Sequence, residues 1–257
     1  MITQRRFTAS GYFLLAFIFL PVNTLLAQEL SGTTSWAREV ALSTPVAGVI
    51  ERVRVSPGQR VKQGELLLRL DQRPFDNKIF GLQAKIKKLE VLRNETQAEL
   101  KRAEELYDRT LLSDHELELA KIDAVSAEAD YRLTQSELST AQLNREYSRL
   151  TAPFDALVLK RQAEKGQVVS PTLMPQVLLL LVSSETMKVR VLLDHQELKK
   201  FRPGQAVKVK IADRIFPGTI SMLGLEPEDD ASAYFLEVEF NTQGKLIRSG
   251  EKAKVIL

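Results

Sequence analysis

The sequence predicts a mixed α and β fold, multidomain and elongated: a small β domain in two halves, an antiparallel coiled-coil α-hairpin inserted between them, and a small β-barrel after them. Three observations carry this. Stretches 44–71 and 150–171 both contain short β-branched runs broken by Gly and Pro, the pattern of tight turns between short strands. Both repeat the step Gly-Gln-x-Val, at 58–61 and 166–169. Between them the pattern is helical, and from residue 186 it changes to strict alternation. The expected division is 44–72 with 149–183 for the β domain, 73–148 for the hairpin and 184–257 for the barrel. Residues 28–43 form an N-terminal strand or linker.

The helical insertion is the longest feature. After Pro74 no proline occurs until Pro153, and Gly81 is the only glycine between them. Apolar or small residues recur at alternating spacings of three and four. In the first arm they are Phe75, Ile79, Leu82, Ile86, Leu89, Thr96, Leu100, Ala103 and Leu106. In the second they are Leu117, Ala120, Ala124, Ala127, Tyr131, Thr134, Leu138 and Ala141. Such a heptad seam with charge on the other faces is that of a coiled coil, and the small residues of the second arm let the helices approach closely. Each arm, at roughly 35 residues, would be on the order of 50 Å long. Pro74 suits a first helical turn, where its missing N–H has no helical partner to lose. Residues 111–114 read as the turn, with Ser113 and Glu116 as a capping box. Leu111 and Leu112 stand there as exposed leucines, and a partner surface would explain them.

The carboxy-terminal third reads as strands at 187–193, 206–211, 219–223, 234–240 and 253–257, each with one apolar face. A short helix is expected at 195–201. Turns are expected at 202–205, 216–218 and 248–251. Several short strands around one helix suggest a barrel.

Composition narrows the function. The 36 Lys and Arg against 33 Asp and Glu give a net charge of +3, too little to argue for nucleic acid. With no cysteine, disulfides, thiolate metal sites and thiol nucleophiles are excluded. Residues 1–27 resemble an export signal, with Arg5 and Arg6 before the apolar run 11–20 and Ala27 before a cut; an uncleaved N-terminal anchor is the alternative. His115 and His195 have no ligand partners at useful spacing and read as surface or capping residues. The acidic run 226–230 reads as a solvated loop. No phosphate loop, catalytic triad or EF-hand pattern is present, so no enzyme activity, cofactor or metal is expected.

The two β halves resemble the half-motifs of the biotinyl/lipoyl-like domain in the periplasmic adaptor family, also known as membrane fusion or haemolysin-D-like proteins. Gly48, Val53, Gly58, Val61, Gly64, Leu70 and Asp71 fall at the family's positions, and Ala152-Pro153-Phe154-Asp155 carries the second half with Gly166. Ala156 stands where the family usually has Gly, and residues 172–176 replace its usual Gly-containing turn. Gly48, Gly58, Gly64, Pro153, Gly166 and Gly204 are expected as structural turn positions. The barrel order is similar too, including Pro203-Gly204-Gln205 after the short helix. The resemblance implies a tip motif of Arg, Leu four residues on and Ser seven further, here Arg102, Leu106 and Ser113. With Leu111 and Leu112 these would dock on a TolC-like outer-membrane channel. It further implies an inner-membrane transporter partner of RND, ABC or MFS type, a homo-oligomeric ring (a hexamer in the family) and a periplasmic location at the inner membrane. A membrane-proximal domain is expected to be absent or truncated. A carrier role is disfavoured, because the turn that would present a modifiable lysine is opened after Asp71 into the hairpin. A secreted coiled-coil scaffold without a transporter is the competing function.

Overall fold

The computed structural model describes residues 29–170, 176–228 and 233–257. The expected export signal, most of the 172–176 turn, Asp229 and Asp230 lie outside them.

Strands β1 (Glu29–Trp36), β2 (Glu39–Leu42), β3 (Gly48–Val53), β4 (Arg60–Val61) and β5 (Leu66–Leu70) precede two long helices, α1 (Arg73–Asp108) and α2 (Asp114–Tyr147). Strands β6 (Arg149–Thr151), β7 (Ala156–Arg161), β8 (Val168–Val169), β9 (Leu179–Ser183) and β10 (Thr186–Leu193) follow. Helix α3 (His195–Leu198) and strands β11 (Ala206–Ile211), β12 (Arg214–Leu223), β13 (Tyr234–Asn241) and β14 (Lys252–Ile256) complete the chain.

Two four-stranded sheets, in the orders β2-β9-β7-β4 and β6-β5-β3-β8, face each other around one apolar core. Its centre is Ile50, Leu67, Leu70, Val158 and Leu181, each at most 1 % exposed. The repeated Gly-Gln-x-Val step is the device that joins the halves. Gly58 donates to Val158 O and Val158 N donates to Gln59 O; symmetrically, Gly166 donates to Ile50 O and Ile50 N donates to Gln167 O. The Gln side chains accept from Ser56 N and Glu164 N, closing each turn in the same way. Gly58 and Gly166 have φ of +84° and +86°, the left-handed region in which a Cβ is penalised. The two buried valines, Val61 and Val169, pair with Ala156 and Gly48. Gly48 and Ala156 are therefore equivalent positions of the two halves.

The helices rise from between β5 and β6, which themselves pair. Asp71 organises the first turn of α1, because Gln72 at its N-cap makes no side-chain cap. The Asp71 carboxylate accepts from the Arg73 backbone N–H at 3.1 Å and from the Arg73 guanidinium at 2.6 Å. Those bonds, the guanidinium's first and then the backbone's, lower its pKa from 3.8 to about 2. At the far end of α2, Ser148 is fully buried and its carbonyl accepts from Leu70 N. Thr44 Oγ1 donates to Tyr147 O and Gln72 Nε2 to Ser148 Oγ, and Phe75 packs on the β core. The base of the helix pair is thus pinned from both strands.

Along the pair, Leu82 and Ala103 of α1 are buried, with Leu117, Ala124, Ala127, Thr134 and Ala141 of α2. Arg93 occupies a seam position between Leu89 and Thr96. It lies over the Tyr131 ring at 4.3 Å and 3.9 Å from Glu128, so its stem fills the seam while its charge is answered.

The second unit is a closed six-stranded barrel, β1-β10-β13-β12-β11-β14, with its own core around Met187, Val189, Val209, Leu236 and Val255. Two expectations are corrected here. The barrel was expected within 184–257, but β1 from the other end of the chain closes it between β10 and β14. Buried Thr34 holds that closure, donating to Arg248 O and accepting from Glu251 N. Residues 216–218 are not a turn but lie inside β12. Pro217 stands just before β12 gains β13 as a second neighbour, so its missing N–H costs little there. At Gly218 a Cβ would come within 2.9 Å of Val238 Cγ1. The actual turn is Ala212-Asp213, with Ala212 at φ 50°. Within the acidic run Glu226 is exposed, but Glu228 is less free than expected: it pairs with Arg190 at 2.5 Å and bridges to Ala233. Among the described residues no helix is long and apolar enough to cross a membrane.

Candidate docking site at the helix-pair tip

Residues 109–113 join the two helices in one tight reversal. Thr110, with φ 60°, donates to Tyr107 O, and Leu111 N folds back to Leu106 O at 3.0 Å. Ser113 starts α2 through a complete capping box: its hydroxyl accepts from Glu116 N at 3.3 Å and donates to Glu116 Oε2 at 2.7 Å, and its own N–H meets the same carboxylate at 3.0 Å. These bonds, backbone first and then hydroxyl, hold the Glu116 carboxyl below its usual range. Across the turn the Tyr107 phenol donates to Asp114, and this bond, followed by the charge of the carboxylate, raises the Tyr107 pKa.

Arg102 and Leu106 are four residues apart and share one face of α1. The Arg102 guanidinium is well exposed and pairs with Glu99 one turn back on its own helix. Leu106 is 40 % exposed and Leu111 70 %. Leu112 departs from expectation: it is half-buried. Ser113 is exposed, but its hydroxyl is committed to the cap. The tip therefore offers an apolar patch of Leu106, Tyr107 and Leu111 beside a guanidinium held by one exposed, exchangeable partner. Tyr107 was missed in sequence reasoning, because its bond to Asp114 depends on how the turn closes and no local motif announces it.

The turn residues fall less uniformly. Gly58, Gly64, Gly166 and Gly204 all sit at positive φ in turns. Pro153 lies in the bend between β6 and β7. Gly48 is corrected: it opens strand β3, and a Cβ there would stand 3.1 Å from Leu70 Cδ1, so close approach and not a turn explains it. His115 and His195 are both exposed, and among the described residues no group of three or more His, Cys, Asp or Glu is placed to hold a metal ion.

A two-sheet sandwich of pseudo-equivalent halves, opened between β5 and β6 by a pair of long helices, defines a barrel-sandwich hybrid. The chain belongs to the CzcB-like barrel-sandwich hybrid domain family, whose model matches residues 38–174. Among curated proteins it is 28% identical over 158 residues to the multidrug resistance protein MdtA of Pectobacterium atrosepticum, covering 58% of this chain and 38% of that protein. It is 26% identical over 244 residues to the macrolide export protein MacA of Escherichia coli O157:H7, covering 88% of this chain and 66% of that one. The chain thus spans well under half the length of the first relative. Its fold is similar to the membrane fusion protein Spr0693 of Streptococcus pneumoniae R6, with TM-score 0.69 at 18% identity over 90% of this chain and 98% of that one. It is also similar to a MacA–MexA chimera carrying the Pseudomonas aeruginosa MexA α-hairpin domain, with TM-score 0.66 at 20% identity over 90% and 80% of the two chains.

Proposed function

We propose that this protein is a non-enzymatic periplasmic adaptor of a tripartite export system, joining an inner-membrane transporter of RND, ABC or MFS type to a TolC-like outer-membrane channel. In this reading the helix pair, 73–148, is an antiparallel coiled-coil hairpin carried by a lipoyl-like domain, and copies of the chain assemble as a ring at the inner membrane. The observation that carries it is the tip: Arg102 and Leu106 on one helical face, Leu111 exposed beyond them, and Ser113 fixing the start of the return helix. The names of the relatives, a multidrug resistance protein and a macrolide export protein, support the export role.

The physics of docking follows from the tip chemistry. Leu106 and Leu111 would lose water against an apolar partner surface. Arg102 would exchange Glu99 for acceptors on the partner, which its guanidinium fork can engage in pairs. The test is site-specific crosslinking from the tip to a candidate channel, with export measured alongside and circular dichroism as the folding control. Leu106→Asp and Arg102→Asp should abolish both crosslinking and export while the helical signal is retained. The first buries a carboxylate without a partner, and the second replaces a donor by an acceptor. Variants that crosslink and export normally would overturn the docking assignment.

A further inference from the structure

One face of the barrel is charged in a way that its own folding does not favour. On β11 and β14 the inward residues Val209, Ile211, Ala253 and Val255 are buried, so Lys208, Lys210, Lys252 and Lys254 all point outward from two adjacent strands. Lys210 and Lys254 are directly opposite each other, an arrangement of like charges that weakens a sheet. Among the described residues only Lys254 of the four has an ion-pair partner, Glu29 at 2.7 Å. The outward hydroxyl residues Ser31 and Thr33 of β1 continue the face, opposite Lys254 and Lys252. A groove of about 690 Å³ runs across these three strands. On the other side Ile215, 58 % exposed, lies opposite Lys210.

We propose that this lysine face binds the surface of a membrane rich in anionic phospholipid. The array is spread over strands spaced about 5 Å apart and does not converge on one point, which suits many headgroups and not a single phosphate. Lysines act as mobile point charges, without the fixed fork by which arginine grips one anion. Exposed Ile215 beside them adds an apolar contact at the headgroup boundary. Glu29 opens β1 beside Lys254, so an uncleaved anchor at 11–20 would hold this face near the membrane surface. Surface lysines next to an anionic leaflet are each drawn to it through its negative potential. The Glu29 carboxyl is held low, first by its bond to Lys254 and also by the charge of Lys210, and it takes part of the face out of action.

The test uses the full chain and co-sedimentation with vesicles of phosphatidylcholine alone or mixed with phosphatidylglycerol. Binding should be stronger to the mixed vesicles, and the difference should shrink as salt is raised. Converting Lys208, Lys210 and Lys252 together to Gln should weaken binding to mixed vesicles about five-fold per lysine, on the order of 100-fold in all, while binding to phosphatidylcholine stays the same. The same three positions converted to Arg should retain binding, which separates charge from damage to the barrel. Equal binding to both vesicle types, or a Gln variant that binds like the wild type, overturns the proposal. So does perturbation of these lysines by inorganic phosphate or glycerol phosphate without any vesicle preference, which would mark a soluble ligand instead. The tip variant Leu106→Asp should bind vesicles normally, so this outcome and that of the docking experiment are read separately.

Discussion

Gly48 and Gly58 are both glycines of the first half-motif, yet they are there for different reasons. At Gly58 nothing lies within 4 Å of a would-be Cβ, so only the backbone, at φ +84°, opposes substitution. Gly58→Ala should cost about 1 kcal/mol, and Gly166→Ala the same, because the two turns are built alike. Thermal unfolding checks this, and a large difference between the two variants would tell against the equivalence of the halves. At Gly48 a methyl group would press on the flexible end of Leu70, while its counterpart Ala156 is accommodated fully buried. Asp71 gives a second test. Its carboxyl is held at about 2 against 3.8, so the charged form is favoured in the folded state. That contribution is present above pH 4 and is lost as pH falls through about 2. Asp71→Asn should therefore lower the melting temperature at neutral pH, with the difference closing as the pH is taken from about 4 to about 2. A difference that stays constant with pH would mean that the Asp71 charge is not what holds the α1 terminus. Glu237 on the barrel behaves in the same sense. Burial pushes its carboxyl up, but hydrogen bonds from Arg190 and Lys188 outweigh this and hold it low. Glu237→Gln should cost about 2 kcal/mol, since bonds to a charged acceptor are the strong ones.

At the scale of elements, what could be read from the sequence follows from how local each signal is. The seam of α2 was legible because burial repeats every three or four residues on one chain segment: all eight positions named for it are buried or half-buried. The capping box was legible because Ser113 and Glu116 are three residues apart. Arg93 was not, because a cation in a seam is acceptable only with Tyr131 and Glu128 across from it, and that register is set by the fold. The Ala212-Asp213 turn was hidden because Ala212, a residue type that seldom adopts positive φ, takes φ 50° there, whereas Pro217-Gly218 imitated a turn while serving a crowded strand. At the tip, Leu111 could be named as an exposed apolar residue; Leu106 was expected in the seam and reached the tip only through the family resemblance, and it is 40 % exposed, while the half-burial of Leu112 depends on the path of the reversal. The seam makes its own prediction. Ala124 and Ala127 are 5 % and 4 % exposed, and they set how closely α1 and α2 approach. Ala127→Leu should destabilise by about 1–3 kcal/mol through overpacking, while a substitution at exposed Ala129, two residues on, should be nearly neutral. Chemical denaturation of the two variants compares them directly.

For the whole molecule the question is how far the tip stands from the barrel. The base of the helix pair is fixed to the β sandwich by Thr44, Gln72, Ser148 and the packed Phe75, so the helices leave it in one direction. Their apolar seam is satisfied by each other, which leaves no apolar stripe of that seam to draw them back over the barrel. The 36 residues of α1 then extend about 54 Å from the base. The docking role proposed for the tip needs that reach, because it requires a contact surface held away from the body of the chain. The absence of cysteine makes the distance directly measurable. Thiols introduced as Leu111→Cys at the tip and Leu192→Cys on the barrel, both exposed positions, can carry spin labels. The labelled chain is diluted with unlabelled protein, so that only distances within one chain are read. The expected separation exceeds about 50 Å, the length of the helix pair alone. A population near 20–30 Å, on the scale of a compact domain, would mean that the helices fold back on the barrel, and the tip could not then serve as a distant docking point.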